Sequence, residues 1–527
     1  MQLGHLLSAG PEYQLSGDPT VDIAALAWDS RRVQPGGMFV AYRGVAVDGH
    51  DFIDAAAANG AACIVGEHKV EAARCRLQST HANVAYARVP DGREALAWMS
   101  AAWHGFPARR LAMVGVTGTD GKTTTVNLIY HILRAAGRRV GMVSTVSALF
   151  EGKAVDTGLH TTTPDAFDVQ RLLAGMVAAG IRTCVLETTS HGLAQHRVTA
   201  CEFDMAVVTN ITHEHLDAHG SLDAYRAAKA MLFAGLMTGA RKPGVPKVAV
   251  LNRGDNSYDC LRIHPADLTI TYNADGPADV TARDVRYAPD GTRLVVCSSH
   301  GEFETKTRLV GRFNLSNILA ATATALALGA TPSDVQRGLG TFPGVPGRME
   351  RVDRGQPFTA MVDFAHTPNS LRQALLAGRQ LAAPGGHVIV VFGCAGRRDV
   401  QKRRLMGCAA AQMADYAVLT AEDPRTEELG AIIEAIAEGC RQGGGVEGST
   451  YEHVPDRGSA IARGVELARP GDVLLVCGKG HEQSMCFGDV EYPWDDRAAL
   501  AAVLGGCPTD ILPATRTQTA KGGPESP

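Results

Sequence analysis

An apolar run, a glycine-rich turn and an amphipathic helix follow one another directly at Met113-Val-Gly-Val-Thr-Gly-Thr-Asp-Gly-Lys-Thr-Thr-Thr125, with Val126, Leu128, Ile129, Ile132 and Leu133 continuing the helical pattern. Few folds accept that order. A strand must end, the backbone must turn tightly, and a helix must start with its N–H groups exposed to a ligand. Glycines let main-chain amides close on a polyphosphate, and the helix N-terminus adds positive potential. Lys122 can reach outer phosphates, and the Thr123 hydroxyl can hold Mg²⁺. The common P-loop spacing places a glycine at the position of Val116, so the loop is a variant, G-T-D-G-K-T-T. Gly118, Thr119, Asp120, Gly121, Lys122, Thr123 and Thr124 are the expected nucleotide contacts.

Near-continuous apolar runs recur between helical patterns, at Ala112–Val116, Thr183–Leu186, Met205–Val208, Val248–Leu251, Val388–Phe392, Tyr416–Leu419 and Val473–Val476. Such runs fit parallel strands buried on both faces. Their alternation with helices predicts a doubly wound α/β class. The length predicts about three domains. Residues 1–108 form a first α/β block ending near Gly105-Phe-Pro107. Residues 109–345 follow the phosphate loop and end in the Pro/Gly-rich Phe342-Pro-Gly-Val-Pro-Gly347. Residues 346–506 form a third block. Within the second, Asp279–Leu309 alternates like antiparallel strands. The tail, residues 507–527, is polar and is expected to be disordered.

A net charge of -4 gives no footprint for nucleic acid or a membrane surface. No window reaches the roughly 18 apolar residues of a membrane span, and no basic segment followed by an apolar run suggests a signal peptide. Twelve cysteines lie scattered without a CxxC, as in the reduced thiols of a cytoplasmic enzyme.

Polar residues at the carboxyl ends of buried strands mark ligand sites in open α/β sheets. Leu186-Glu-Thr-Thr-Ser-His-Gly192 follows one such strand, making Glu187 a candidate Mg²⁺ ligand; the bland alternative is a helix cap. Ala206-Val-Val-Thr-Asn210 leads into Thr212-His-Glu-His-Leu-Asp217. His213, His215 and His219 lack the Cys or carboxylate spacing of a zinc site. A single histidine helping to hold Mg²⁺ fits better. Lys229, in Tyr225-Arg-Ala-Ala-Lys229, taken alone reads as a solvated helix residue.

Together these motifs resemble the Mur ligase family, the ATP-dependent amide ligases of peptidoglycan precursor synthesis. The resemblance runs through G-T-x-G-K-T-T at 118–124, E-x-x-S-H-G at 187–192, H-L-D at 215–217, Lys229, G-R-F-N-x-S-N at 311–317, G-R-M-E at 347–350, D-x-A-H-T-P at 363–368 and G-K-G-H-E at 478–482. It implies a three-domain architecture with a central P-loop-type ATPase domain of mostly parallel sheet and a Rossmann-like C-terminal domain. It implies that Lys122 and Thr123 bind phosphate and Mg²⁺, that Glu187 and His215 hold a second Mg²⁺, and that Lys229 is carbamylated to N6-carboxylysine, an anionic ligand. Lys122, Lys229, His215 and Glu187 are then the catalytic set. Asn314 would face adenine, and Arg348, Asp363 and His366 would reach the ATP from the third domain. Asp120 stands where the family more often has Asn, and an acid there is unfavourable unless it faces Mg²⁺ or solvent.

The first block carries Trp28-Asp-Ser-Arg31, Gly36-Gly-Met-Phe-Val-Ala41 and Asp48-Gly-His-Asp-Phe52. These resemble the UDP-binding domain of the ligases that add the third peptide residue, and of the ligase acting after them. Thr161-Thr-Thr-Pro164 and Gln195-His-Arg197 resemble the UDP-MurNAc-dipeptide contacts of the former. Ser30, Thr162, Thr163, Ser190, Gln195 and Arg197 are the implied substrate residues. The third block carries Gly393-Cys-Ala-Gly-Arg-Arg-Asp399, Glu422-Asp-Pro-Arg-Thr-Glu427 and Gly478-Lys-Gly-His-Glu482, resembling a diamino-acid site. There Arg398 and Arg425 can clamp carboxylates, Asp423 and Glu482 can hold an ammonium, and Glu422, Pro424 and Gly478 complete the set. A meso-diaminopimelate site of the family reads D-N-P-R. The extra charge of Glu422-Asp-Pro-Arg425 favours L-lysine or L-ornithine, and Arg425 keeps meso-diaminopimelate close behind.

The implied reaction adds a diamino acid to UDP-MurNAc-L-Ala-D-Glu through an acyl phosphate, in a cytoplasmic monomer. Two other readings stand beside it. A folylpolyglutamate-type ligase shares the chemistry but has no use for residues 1–108. A non-catalytic P-loop binding protein would turn over nothing.

Overall fold

The computed structural model describes residues 1–44, 47–78, 81, 83–150, 152–155, 162–212 and 220–507. His213, His215, Asp217, His219, Thr161 and the tail from residue 508 lie outside these residues. The chain divides into two compact units, Met1–Tyr272 with Ala323–Ala330, and Asn273–Thr322 with Thr331 onward. Both are α/β, with mostly parallel sheets.

The first unit holds two sheets. Residues 14–88 form a five-stranded sheet in the order Gln14–Ser16, Ala85–Arg88, Cys63–Gly66, Met38–Val40, Leu26–Ala27. It is parallel except at Gln14–Ser16. The second sheet has eight strands, ordered Leu268–Tyr272, Val248–Asn252, Met205–Val208, Ala112–Thr117, Thr183–Glu187, Val140–Val143, Ala148–Phe150, Lys153–Val155. The first six are parallel, and the last two turn back antiparallel. Ala112–Thr117 therefore lies mid-sheet, between Met205–Val208 and Thr183–Glu187. Its Met113, Val114 and Val116 are fully buried, as a strand covered by helices on both faces requires. At the same edge Thr183–Glu187 ends in a carboxylate, and Met205–Val208 is followed directly by Thr209 and Asn210.

The second unit repeats this logic. Thr281–Ala288, Gly291–Ser298 and Gly301–Thr307 form an antiparallel three-stranded sheet where the alternation predicted one. A six-stranded sheet follows, in the order Glu350–Arg351, Thr359–Asp363, Val473–Cys477, Val388–Phe392, Tyr416–Leu419, Tyr451–His453. All but its first strand are parallel. Leu474, Val390, Val391 and Val418, all fully buried, lie in its core. The expected strands at 205–208, 388–392 and 416–419 match in full, and the other four gain one residue at the carboxyl end. Those added residues, Thr117, Glu187, Asn252 and Cys477, are polar or small, so the apolar run stops before the backbone ladder does. Among the described residues, no helix is long and apolar enough to cross a membrane.

Candidate active site

Gly118 and Gly121 shape the turn after Ala112–Thr117. Gly118 has φ +147°, and a Cβ there would lie 1.8 Å from Thr209 Oγ1. Gly121 has φ +81° and caps the helix Lys122–Ala135. Thr209 and Asn210, at the end of the adjacent strand, hold the turn closed. Thr209 Oγ1 donates to the Asp120 carbonyl at 2.6 Å. Asn210 accepts from the Asp120 amide at 3.1 Å and donates to its carbonyl at 3.1 Å. The Thr119 amide donates to the Asn210 carbonyl at 2.7 Å. The Asp120 backbone amide and carbonyl are thus both held by Thr209 and Asn210.

Three of the four expected catalytic side chains, those of Lys122, Glu187 and Lys229, adjoin that loop; His215 lies outside the described residues. Lys122 Nζ donates to the Thr119 carbonyl at 2.7 Å. Thr123 Oγ1 donates to Glu187 Oε1 at 3.0 Å. Glu187 is 1% exposed, and its second oxygen accepts from the Thr145 amide at 2.9 Å. Lys229, expected alone to be a solvated helix residue, is instead 1% exposed. Its Nζ donates to the Gly118 carbonyl at 2.6 Å and lies 4.5 Å from the Tyr225 ring centroid. The Tyr225 hydroxyl shares a 3.2 Å hydrogen bond with Thr119 Oγ1. One buried hydroxyl–carboxylate pair and one buried amine therefore adjoin the same loop.

The implied substrate residues of this unit branch from Glu187. Thr163 Oγ1 donates to the Glu187 carbonyl at 3.1 Å. Arg197 donates to the Thr163 carbonyl at 2.8 Å and to Gln195 Oε1 at 2.9 Å. Ser190, buried, opens the short helix Ser190–Ala194, capped by Thr189. Thr162 is half-buried beside Thr163. Ser30 lies apart in the first sheet's block, where Asn59 Nδ2 donates to its carbonyl at 2.9 Å. Trp28 packs on Phe167 with ring centroids 5.4 Å apart, joining that block to the helix after Thr163.

In the second unit, Gly393–Asp399, Glu422–Glu427 and Gly478–Glu482 leave the carboxyl ends of three neighbouring parallel strands. Glycine permits their contact. A Cβ on Gly393 would lie 2.3 Å from the Thr420 carbonyl oxygen, and one on Gly396 would lie 2.0 Å from that of Pro424. Asp423 and Glu482 do hold an ammonium, but it is the protein's own. Lys479 Nζ lies 2.8 Å from Asp423 and 2.6 Å from Glu482. Burial works against the charge on Lys479, yet Glu482 and Asp423 hold it above its ordinary range. Glu422 is buried, and Oε2 has no hydrogen-bond partner among the described residues. Burial pushes its carboxyl up, opposed by Lys402 and Lys479. Arg425 has φ +53°, and its Nε is buried without a partner among the described residues. Arg398 is exposed.

The nucleotide residues implied for this unit gather beside that cluster. Asp363 accepts from the Met349 amide at 2.7 Å and the Ala365 amide at 2.9 Å. The Arg348 guanidinium lies 4.4 Å from the Phe364 ring centroid. His366 and His481 flank the same ring at 4.5 and 5.0 Å. Gly347 and Gly480 touch through their main chains; a Cβ on Gly347 would lie 2.1 Å from the His481 amide nitrogen. Burial, then the Arg348, Arg497 and Lys479 cations, push the His481 imidazole down to about 3. Asn314 is buried, donating to the Val310 carbonyl at 2.8 Å and accepting from Asn317 at 3.0 Å.

Thr209, Asn210, Thr145 and Lys479 were not among the expected site residues. Thr209 and Asn210 end a buried strand at the ligand edge, which was the available signal.

The chain matches the Mur ligase family catalytic domain over residues 22–104, the Mur ligase middle domain over 116–325 and the Mur ligase glutamate ligase domain over 347–480. It is 41% identical over 505 residues to the UDP-N-acetylmuramoyl-L-alanyl-D-glutamate--2,6-diaminopimelate ligase of Geobacillus thermodenitrificans (strain NG80-2), covering 96% of this chain and 99% of the relative. The protein belongs to the Mur ligase family. The UDP-N-acetylmuramyl-tripeptide synthetase of Roseiflexus sp. (strain RS-1) is 42% identical over 491 residues, covering 92% of this Mur ligase and 94% of the relative. A solved UDP-N-acetylmuramoyl-L-alanyl-D-glutamate--2,6-diaminopimelate ligase superposes with TM-score 0.66 at 29% identity, covering 96% and 99% of the two chains. The folylpolyglutamate synthase of Mycobacterium tuberculosis shares the fold at TM-score 0.58 and 18% identity, but covers only 72% of this chain. As an ATP-dependent amide ligase, this chain is an enzyme, which sets aside the binding-only reading.

Proposed function

We propose that this Mur ligase joins a diamino acid to the D-glutamyl carboxylate of UDP-MurNAc-L-Ala-D-Glu, giving ADP, phosphate and the UDP-MurNAc-tripeptide. The observation that supports the proposal is the Thr123–Glu187–Thr163 chain of contacts, which joins the glycine-rich loop's helix, a buried carboxylate and Thr163 in one polar cluster. In this reading residues 1–108 bind the UDP end, 109–345 the nucleotide and 346–506 the amino acid, and the enzyme works in the cytoplasm, where ATP is.

The D-glutamyl carboxylate attacks the γ-phosphorus of ATP and ADP leaves, forming an acyl phosphate. The amine of the diamino acid attacks that carbonyl, loses a proton, and phosphate departs. Lys122 offsets charge on the transferring phosphoryl group. Arg197 and Thr163 orient the acceptor. Thr123 and Glu187 present the oxygen donors that Mg²⁺ prefers, and they would hold it together with His215. Bound Mg²⁺ supplies charge neutralisation at the phosphates. A carbamate on Lys229 would replace the ammonium beside Gly118 with a further oxygen ligand. Asn314, Arg348, Asp363 and His366 are proposed to contact the same nucleotide.

For the amino acid we infer meso-diaminopimelate. Asp423 spends its added charge on Lys479, which removes the reason to favour lysine or ornithine. The Arg425 fork, whose buried Nε has no partner among the described residues, suits a second carboxylate. The names of the relatives point the same way. Assaying the enzyme with meso-diaminopimelate, L-lysine and L-ornithine, with mass spectrometry of the nucleotide product, tests both levels. Tripeptide from none of the three ends the ligase assignment. Tripeptide from lysine or ornithine alone ends the meso-diaminopimelate assignment.

A further inference from the structure

We propose that Arg457 is a positioning residue that sets the spacing of the two loops enclosing the diamino acid; this rests on the amino-acid site proposed above. Arg457 is fully buried at the start of the helix Arg457–Leu467. Its Nη1 donates to the Ala421 carbonyl at 2.9 Å, and Nη2 donates to the Cys477 carbonyl at 2.9 Å. Ala421 directly precedes Glu422, and Cys477 directly precedes Gly478. The strands feeding these loops, Tyr416–Leu419 and Val473–Cys477, are not neighbours, because Val388–Phe392 runs between them. No ladder hydrogen bond can join them. Two strand spacings separate them, roughly 10 Å, and the guanidinium fork spans the gap at the carboxyl edge.

The fork is itself held from behind. Arg457 Nε and Nη2 donate to the two Asp496 oxygens at 2.7 and 2.6 Å. Trp494 Nε1 donates to Asp496 Oδ1 at 2.8 Å. Asp496, also fully buried, begins the helix Asp496–Leu504. A buried ion pair is weak evidence for stability, since apolar residues of equal volume often do as well. What this pair supplies is geometry. The loops it ties carry the contacts that cross between them, Lys479 with Asp423 at 2.8 Å and Gly478 against Glu422. A small change in their separation would open that charge cluster and shift the loop that carries Arg425 against the loop that carries Glu482. Lysine cannot reproduce the link, because a single ammonium cannot bond both carbonyls and both carboxylate oxygens in the plane of a fork.

The test compares wild type, Arg457→Lys and Trp494→Phe in steady-state kinetics, varying each of the three substrates in turn. Arg457→Lys is expected to raise KM for the diamino acid tenfold or more. KM for ATP and for the UDP-linked acceptor should stay within twofold, and kcat within about threefold. Trp494→Phe keeps the ion pair but removes one of the two donors to Asp496 Oδ1, and should raise the same KM two- to fivefold. If Arg457→Lys does not fold, Trp494→Phe decides. An unchanged diamino-acid KM in a folded variant, or an equal rise in all three KM values, overturns the proposal. Wild-type failure with every diamino acid would instead sink the proposed function on which it rests.

Discussion

The Thr123 hydroxyl donates to the Glu187 carboxylate at 3.0 Å, across two adjacent parallel strands of the central sheet. Both groups sit at the carboxyl edge, one opening a helix and one ending a strand. Their oxygens are close enough to share one hard cation. Thr123→Val keeps the shape and removes the donor atom. It should raise the Mg²⁺ concentration for half-maximal activity at least tenfold while leaving the melting temperature nearly unchanged. A Mg²⁺ titration of ATP-dependent phosphate release checks this, and an unaltered midpoint would count against a metal role for the pair.

Gly118→Ala should fail for a steric reason. The new methyl would lie 1.8 Å from Thr209 Oγ1 on a backbone with φ +147°. The combined clash and strain should cost about 2–3 kcal/mol and weaken binding of a non-hydrolysable ATP analogue at least tenfold. Adding Thr209→Ala should recover part of the binding. Calorimetry on the single and double variants measures both effects.

Lys229→Ala should lose most activity, and high bicarbonate should not restore it. In the wild type, ¹³C-bicarbonate should give a carbamate carbon resonance that the variant lacks. Full activity in the variant would remove the carbamate from the mechanism.

His481 predicts a pH dependence of stability. Its folded-state pKa lies near 3, well below the ordinary 6.5. Below pH 6.5 the unfolded chain takes up a proton that the folded site refuses. The stability this group contributes is therefore complete above about 6.5 and is lost progressively as pH falls toward 3. Between pH 6.5 and 5 the loss is roughly 1–2 kcal/mol. Thermal denaturation at the two pH values should show a smaller drop for His481→Gln than for wild type, and equal drops would refute the assignment.

Much of this was legible beforehand because the signals are local. Apolar runs of the right length located the parallel strands, and the loop Gly118–Thr124 declared its own geometry. The alternation in 281–307 announced antiparallel pairing. What stayed hidden depends on partners distant in sequence. Lys229 looked like a surface lysine on an alanine-rich helix, because nothing nearby says that Gly118 lies above it. Asp423 looked available to a substrate ammonium, because its pairing with Lys479 crosses 56 positions. Arg457 was not singled out at all, because only the fold reveals the two carbonyls and the carboxylate that occupy it.

The contact between Gly347 and Gly480 ties together chemistry that is far apart along the chain. Arg348 follows one glycine, and His481 and Glu482 follow the other. With no side chain between the two backbones, there is no slack to absorb a shift on either side. Arg348 and Glu482 therefore ride on backbones in direct contact, and a side chain added at either glycine would drive the two apart.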